Sequence, residues 1–306
     1  MAEIQAQTTI QEQAEKQRAR PSVGEGARAR LLATMPVTER RLQLAGVSTA
    51  VLEGGDGPPV VLLHGPGEYA AKWLRVIPDL VTTYRVVAPD LPGHGTSEVT
   101  DGPLSADRVL AWLGELIERT CPTPPVLVGQ ILGGAIAARF ASDGGNRLSR
   151  LVLVDALGLA PFQPTPEFEL ALTDFITQPT EDAHDRLWRR CAFDLDGLRH
   201  RMGESWVSLK TYNLDRARMP GLQVAQHSLM EQFGMPAIPP TELERIAVPT
   251  ILIWGRHDLA TQLPIAEAVS ARYGWPLHVI ESAGDDPPME QPEAFLKTLR
   301  TALGSS

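Results

Sequence analysis

Six short apolar runs, PPVVLLHG, YRVVAPD, PPVLVG, LSRLVLVD, TILIWG and WPLHVIES, recur along the chain with amphipathic segments between them. Each run is rich in β-branched residues and too short for an ordinary helix. Intervening stretches such as AAKWLRVIPDLV, DRVLAWLGELIERT and PEAFLKTLRTAL carry apolar residues at helical spacing. A strand that is apolar throughout has to be covered on both faces. The alternation therefore predicts an α/β fold with a mostly parallel sheet flanked by helices, led by a hairpin in RRLQLAGVSTAVLEG.

The rhythm is interrupted at two places. Residues 1–38 are polar and rich in Gln, Glu, Ala and Arg, which reads as a mobile or peripherally helical extension. Between residues 161 and 240 the pattern turns helical, as in TPEFELALTDFI and EDAHDRLWRRCAFDLDGLRHRM, with no strong strand. The expected organisation is one α/β core, residues 39–160 and 241–306, carrying an inserted helical cap at 161–240.

A formal net charge of −9 without any Lys/Arg block argues against nucleic acid as a partner. The first residues lack the apolar core of a secretory signal. The longest weakly polar run, Val126–Ala141, is broken by Gln130, Arg139 and glycines, so it reads as a buried strand and helix rather than a membrane span. A cytoplasmic chain without membrane contact is expected, with Cys121 and Cys191 as reduced, incidental core thiols. No metal and no cofactor are expected. A small organic molecule is the expected partner, and a homodimer is left open.

Six motifs, VVLLHGPG, VVAPDLPGHGTS, VLVGQILGGAIA, LVLVDALGL, ILIWGRHD and AGDDPPMEQPEAF, stand in the order and spacing of the α/β-hydrolase fold, which the chain resembles over about Arg41 to Leu303. The resemblance implies an eight-stranded sheet. It also implies a G-x-S-x-G elbow whose glycines let strand and helix backbones approach closely. Here the frame reads Gly129, Gln130, Ile131, Leu132, Gly133, Gly134, with isoleucine at the serine position. The family acid position is Asp258. The family histidine position, before x-P-x-x-E-x-P, is Asp285. Neither a nucleophile nor its base is then present, and serine hydrolysis is excluded at these positions. Pro66 also removes an N–H at an oxyanion-hole position, leaving Gly67 and Leu132 as donors.

The elbow residue of this family sits at strained, often positive φ, so Ile131 implies either a relaxed turn or a strained apolar wall. Asp258 and Asp285 are expected to approach one another, so that like charge raises at least one pKa, with a proton shared between them as one outcome. The alternative is that Asp285 caps a turn or pairs with arginine. His64 and His94 read as loop-shaping residues, with His64 beside the substrate. His257, next to Asp258, is a candidate replacement base whose side chain should diverge from Asp258. Tyr69 and Trp73, four apart on a helix, and Gln130, Ile131 and Leu132 are candidate pocket residues.

In the cap, Arg186 and Arg190 stand four apart, with Trp188 on an adjoining face. Either they form a solvated face with an Asp185–Arg189 pair, or Arg190 points down to polarise a carbonyl. Trp206, Tyr212 and Met230 are further wall candidates. The leading functional expectation is a cofactor-independent, non-hydrolytic enzyme acting on an aromatic or polyketide-like intermediate. The expected reaction is carbon–carbon bond formation or cyclisation of Michael or aldol type, with Asp258, Asp285, Arg190 and His257 as catalytic candidates. Two other readings stand beside it: a residual hydrolase or lyase using water activated by Asp285 or His257, and a non-catalytic small-molecule receptor.

Overall fold

The computed structural model describes residues 22–143 and 147–304. Strands β1 (Thr38–Leu44) and β2 (Val47–Gly54) form the leading hairpin. The apolar runs become β3 (Pro59–Leu63), β4 (Arg85–Pro89), β6 (Val126–Gln130), β7 (Arg150–Val154), β8 (Thr250–Gly255) and β9 (Leu277–Ile280). The sheet order is β1-β2-β4-β3-β6-β7-β8-β9, antiparallel across β1, β2 and β4 and parallel from there on. A ninth strand beyond the eight expected, β5 (Glu98–Val99), pairs with β2 and is too short to register as an apolar run.

Successive strand residues point to opposite faces, so Leu127 and Val128 of β6 enter different apolar layers. One layer holds Trp112 and Leu116 of α2 (Ala106–Thr120), Ile136 and Phe140 of α3 (Leu132–Asp143), and Ala266 of α9 (Leu263–Tyr273). The other holds Trp73 and Ile77, with Phe295 and Leu299 of α10 (Pro292–Leu303). Between β7 and β8 the cap helices follow one another: α4 (Pro166–Thr177), α5 (Glu181–Cys191), α6 (Leu195–Met202), α7 (Glu204–Ala217) and α8 (Pro220–Leu229). No helix among the described residues is long and apolar enough to cross a membrane.

One segment differs from expectation, and a second takes one of its two expected forms. AAKWLRVIPDLV is not one α-helix but a 3₁₀ helix, Ala70–Arg75, and a separate turn, Ile77–Leu80. Pro78 has no N–H to give and its ring crowds the carbonyl a turn earlier, so an α-helix does not run through it. Part of the N-terminal extension, residues 1–21, lies outside the described residues. Val23–Leu32, however, forms a docked helix, α1, opened by a reciprocal Ser22–Glu25 capping box. Its sparse stripe of Gly24, Ala27 and Leu31 suffices because α7 supplies the partner surface. Arg30 Nε donates to Ser208 Oγ at 3.0 Å, and Arg28 pairs with Glu39 and lies 3.7 Å from Asp90.

The cap is seated on the core by α8. A Cβ at Gly93 would lie 2.3 Å from the Cβ of Ala225, and Gly93 has φ +74°. Gly93→Ala should therefore lift α8 and lower stability by about 2–4 kcal/mol. Urea denaturation and faster proteolysis within α8 check this outcome.

Candidate active site

Strands β3, β4, β6, β7, β8 and β9 end on one side of the sheet, and the loops leaving these carboxyl ends carry the polar residues. Open parallel sheets bind their ligands at this edge. After β6 the chain turns at Ile131 and at once enters α3. A Cβ on Gly129 would sit 2.4 Å from the Gly133 carbonyl oxygen, and one on Gly133 would sit 2.5 Å from that of Leu63. The glycine frame is thus set by backbone contact.

Ile131 adopts φ 47°, in the left-handed region. The strain, about 1–3 kcal/mol for such a residue, is offset by three backbone hydrogen bonds. The Ile131 N–H donates to Val154 O at 3.0 Å, while its carbonyl accepts from Leu157 at 3.0 Å and Ala135 at 3.2 Å. The side chain abuts Gly65 and joins the apolar cluster of Leu157, Leu229 and Phe233, leaving the residue 9% exposed. The elbow has kept its geometry around an apolar wall.

Four loops at this edge of the sheet carry carboxyl groups, on Glu68, Asp155, Asp258 and Asp285. Asp285, 6% exposed, donates its N–H to Cys191 O at 3.0 Å, accepts from Gln130 Nε2 through its carbonyl at 3.1 Å, and hydrogen-bonds the Cys191 thiol through its carboxyl. Burial, reinforced by the nearby charge of Asp258, pushes its pKa up to about 7, against the opposing pull of Lys72. Asp258 Oδ1 accepts from the N–H groups of Ala260 at 2.7 Å and Thr261 at 2.9 Å, and its Oδ2 accepts from the Thr261 hydroxyl. Burial raises its pKa while these donors hold it down. The carboxyl of Asp155, at the end of β7, lies within hydrogen-bonding reach of it, whereas Asp285 acts on it through charge.

A second layer of polar contacts ties these loops together. Gln130 Nε2 also donates to Asp286 Oδ1 at 3.0 Å, and Lys72 Nζ stands 3.2 Å from Asp286 Oδ2 and against Glu68. Glu68 Oε2 accepts from Gly65 N at 2.8 Å, so elbow, Asp285 loop and Gly65 loop form one connected network. Glu290 accepts from Gly284 N at 2.7 Å and Phe193 N at 2.6 Å, which fixes the end of α5 to the Asp285 loop. Burial lifts Glu290 to about 8. Asp286, Lys72 and Cys191 carry no local sequence signal for this role, whereas Asp155 stands at a strand end and Glu290 is the glutamate of the x-P-x-x-E-x-P pattern.

The other candidates fall elsewhere. His64 Nε2 accepts from Leu91 N at 2.9 Å, which makes Nδ1 the donor to Gly65 O at 2.8 Å. Burial lowers its pKa to about 3, and His94 behaves alike. Both stay neutral and shape loops. Gly67, with φ +71°, is overlain by the Gln226 side chain of α8, and Leu132 is fully buried at the start of α3.

Tyr69 and Trp73 are not on one α-helical face. Tyr69 packs edge-on against Tyr212 at 4.4 Å, and Trp73 lies 6.3 Å from Phe295. Trp188 packs on Trp206 at 4.9 Å. All three belong to the apolar layer on the other face of the sheet from that of Ile131.

Arg190 and Arg186 are exposed on α5, whose inward face is taken by Ala183, His184, Leu187 and Trp188. The expectation that Arg190 points down is corrected by this amphipathic spacing. Arg186 pairs with Asp174 at 2.5 Å. Asp185 pairs with Arg199 and Lys210, and Arg189 faces Asp196, so the Asp185–Arg189 pair does not form. His257 is exposed and stacked on Phe193 at 4.4 Å, turned away from Asp258. Among the described residues no group of His, Cys, Asp or Glu is arranged to hold a metal ion. An open cleft of about 610 Å³ lies at the opposite end of the sheet, lined by Arg150, Thr250 and Pro276, and does not reach Ile131 or Asp285.

A left-handed elbow between strand and helix, roofed by a helical insertion and faced by carboxylates from later strand ends, is the architecture of an α/β-hydrolase-fold protein. The profile of the Alpha/beta hydrolase family matches residues 60–298, and the chain belongs to that family of enzymes. It is 27% identical over 266 residues to 2-hydroxy-6-oxo-6-(2'-aminophenyl)hexa-2,4-dienoic acid hydrolase of Metapseudomonas resinovorans, covering 84% of this chain and 88% of the relative. It is 28% identical over 274 residues to the pimeloyl-[acyl-carrier protein] methyl ester esterase of Aeromonas salmonicida, covering 84% of this chain and 100% of the relative. The solved structure of 2-hydroxy-6-oxo-6-phenylhexa-2,4-dienoate hydrolase from Rhodococcus sp. strain RHA1 superposes with a TM-score of 0.76 at 25% identity, covering 88% of this chain and 99% of that one. These relatives are hydrolases.

Proposed function

We propose that this chain is a non-hydrolytic member of the family, a cofactor-independent acid–base catalyst in which Ile131 stands where the nucleophile would be and Asp285 where its base would be. One observation carries the reading: the elbow keeps its strained φ of 47° around a hydrocarbon side chain, and the neighbouring Gln130 is hydrogen-bonded to the backbone of Asp285, whose carboxyl is pushed up to about 7. A hydrocarbon cannot form an acyl-enzyme. A carboxyl that titrates near neutrality exchanges protons with a substrate in both directions.

The reaction class that fits is carbon–carbon bond formation or cyclisation of an oxo-bearing aromatic or polyketide-like substrate by Michael or aldol addition. Two of the relatives are hydrolases of 2-hydroxy-6-oxo-dienoic acids, and an enol and a ketone in one substrate call for proton transfers of this kind. The apolar wall folds such a substrate against itself, and Asp285 moves the proton.

The family's hydrolases favour a second reading, in which Asp285 activates a water. The compound that accumulates in cells lacking this chain, incubated with purified protein, separates the two. Turnover should follow a carboxyl with an apparent pKa near 7 and fall by about 10²–10⁴ in Asp285→Asn. Turnover unchanged in that variant would remove Asp285 from the mechanism.

A further inference from the structure

Asp155 is the buried titratable group that this chemistry leaves without a role. It is wholly enclosed at the end of β7, in a left-handed conformation at φ 44° that aspartate tolerates better than most residues. Its Oδ1 accepts from Gly255 N at 2.8 Å, while Oδ2 finds no donor among the described residues. An ionised Asp155 would put a second buried anion against Asp258 with one oxygen unsatisfied, an arrangement that buried carboxylates avoid.

Asp258 differs sharply. Two N–H groups and the Thr261 hydroxyl point at its oxygens, and the same hydroxyl lies 3.0 Å from Asp155 O, fixing the two strand ends together. The acceptor-rich environment belongs to Asp155 and the donor-rich one to Asp258.

We infer that Asp155 is held as a neutral carboxylic acid whose Oδ2–H donates to the Asp258 carboxylate, so that this pair presents one negative charge, not two, to Asp285, beside the Lys72–Asp286 ion pair. Asp155 is then a positioning residue that acts on the site through Asp258. The inference deepens the acid–base reading of Asp285 and rests on it for its functional meaning. Burial and the charge of Asp258 raise the Asp155 pKa well above the usual carboxylate range, in agreement.

The test is a titration of the carbon-13-labelled aspartate carboxyls, assigned with single variants, and it requires no turnover. The wild type should show an Asp155 carbon that remains protonated through neutral pH, and Asp155→Asn should remove it. An asparagine there offers an N–H to Asp258 in place of the O–H and leaves the charge unchanged. The Asp285 midpoint in Asp155→Asn should therefore stay within a few tenths of a pH unit of the wild type. In Asp155→Leu, which offers no donor, Asp258 should take up a proton and the Asp285 midpoint should fall by more than about one unit.

An Asp155 carbon that is ionised at neutral pH would overturn the inference, as would a fall of more than about one unit in Asp155→Asn. If Asp155→Leu fails to fold, the wild-type and Asp155→Asn measurements decide the matter alone. A protonated Asp155 in a chain that catalyses nothing would contradict the proposed function and leave this inference standing.

Discussion

The double variant Ile131→Ser, Asp285→His should react covalently with a serine-directed phosphonate and gain esterase activity about 10²–10³-fold above background, whereas neither single variant should. Position 131 is already held at the left-handed elbow by Val154, Leu157 and Ala135, so a serine inherits a fixed orientation. A histidine at 285 would face Asp258, whose charge already reaches that position. The expected rate remains below that of a complete serine hydrolase because Pro66 supplies no N–H to an oxyanion. Mass spectrometry of the labelled protein, with modification located at residue 131, is the check. A folded double variant that stays unlabelled would show that elbow and Asp285 loop do not meet as described.

The second large effect is on stability. The folded-state pKa of Asp285 is raised to about 7, above its unfolded value, so the native chain binds this proton more tightly. Its favourable contribution is complete below about pH 4 and is lost as pH rises through about 7. Asp285→Asn removes the buried charge and should be more stable than the wild type above pH 7, by on the order of 2–4 kcal/mol. The advantage should shrink toward about pH 4. The effect is read as a difference between variants because His64 and His94, lowered to about 3, act in the opposite sense. Their contribution is present above about pH 6.5 and fades as pH falls to about 3. Urea denaturation of both proteins across this range checks the crossing. An Asp285→Asn variant less stable than the wild type at alkaline pH would contradict the assignment.

Much of the fold was legible because its causes are local. Uniformly apolar runs needed two covered faces, and the glycines around Ile131 were demanded by backbone contact that the motif already encodes. The outward turn of Arg190 was also written locally, in the buried spacing of Ala183, His184, Leu187 and Trp188, which favours the solvated face over an inward guanidinium. The 3₁₀ helix followed from Pro78 and could have been read the same way.

The carboxyl network was different. Lys72 meets Asp286 across 214 residues of chain, numbered positions apart with no shared motif, and Glu290 reaches the end of the cap helix α5. Only the folded sheet brings those strand ends together. Asp155 is the intermediate case: a strand-end aspartate whose partner, Asp258, is set by the adjacency of β7 and β8.

The most direct measurement of the central claim is a reaction run in heavy-oxygen water with the compound that accumulates when the chain is absent from its cells. The acid–base account predicts a product of unchanged mass containing no label from the solvent. Two fragments whose masses sum to the substrate plus one water, one of them carrying the solvent's oxygen, would show that the chain is a hydrolase after all and that Ile131 and Asp285 have not taken it out of that chemistry.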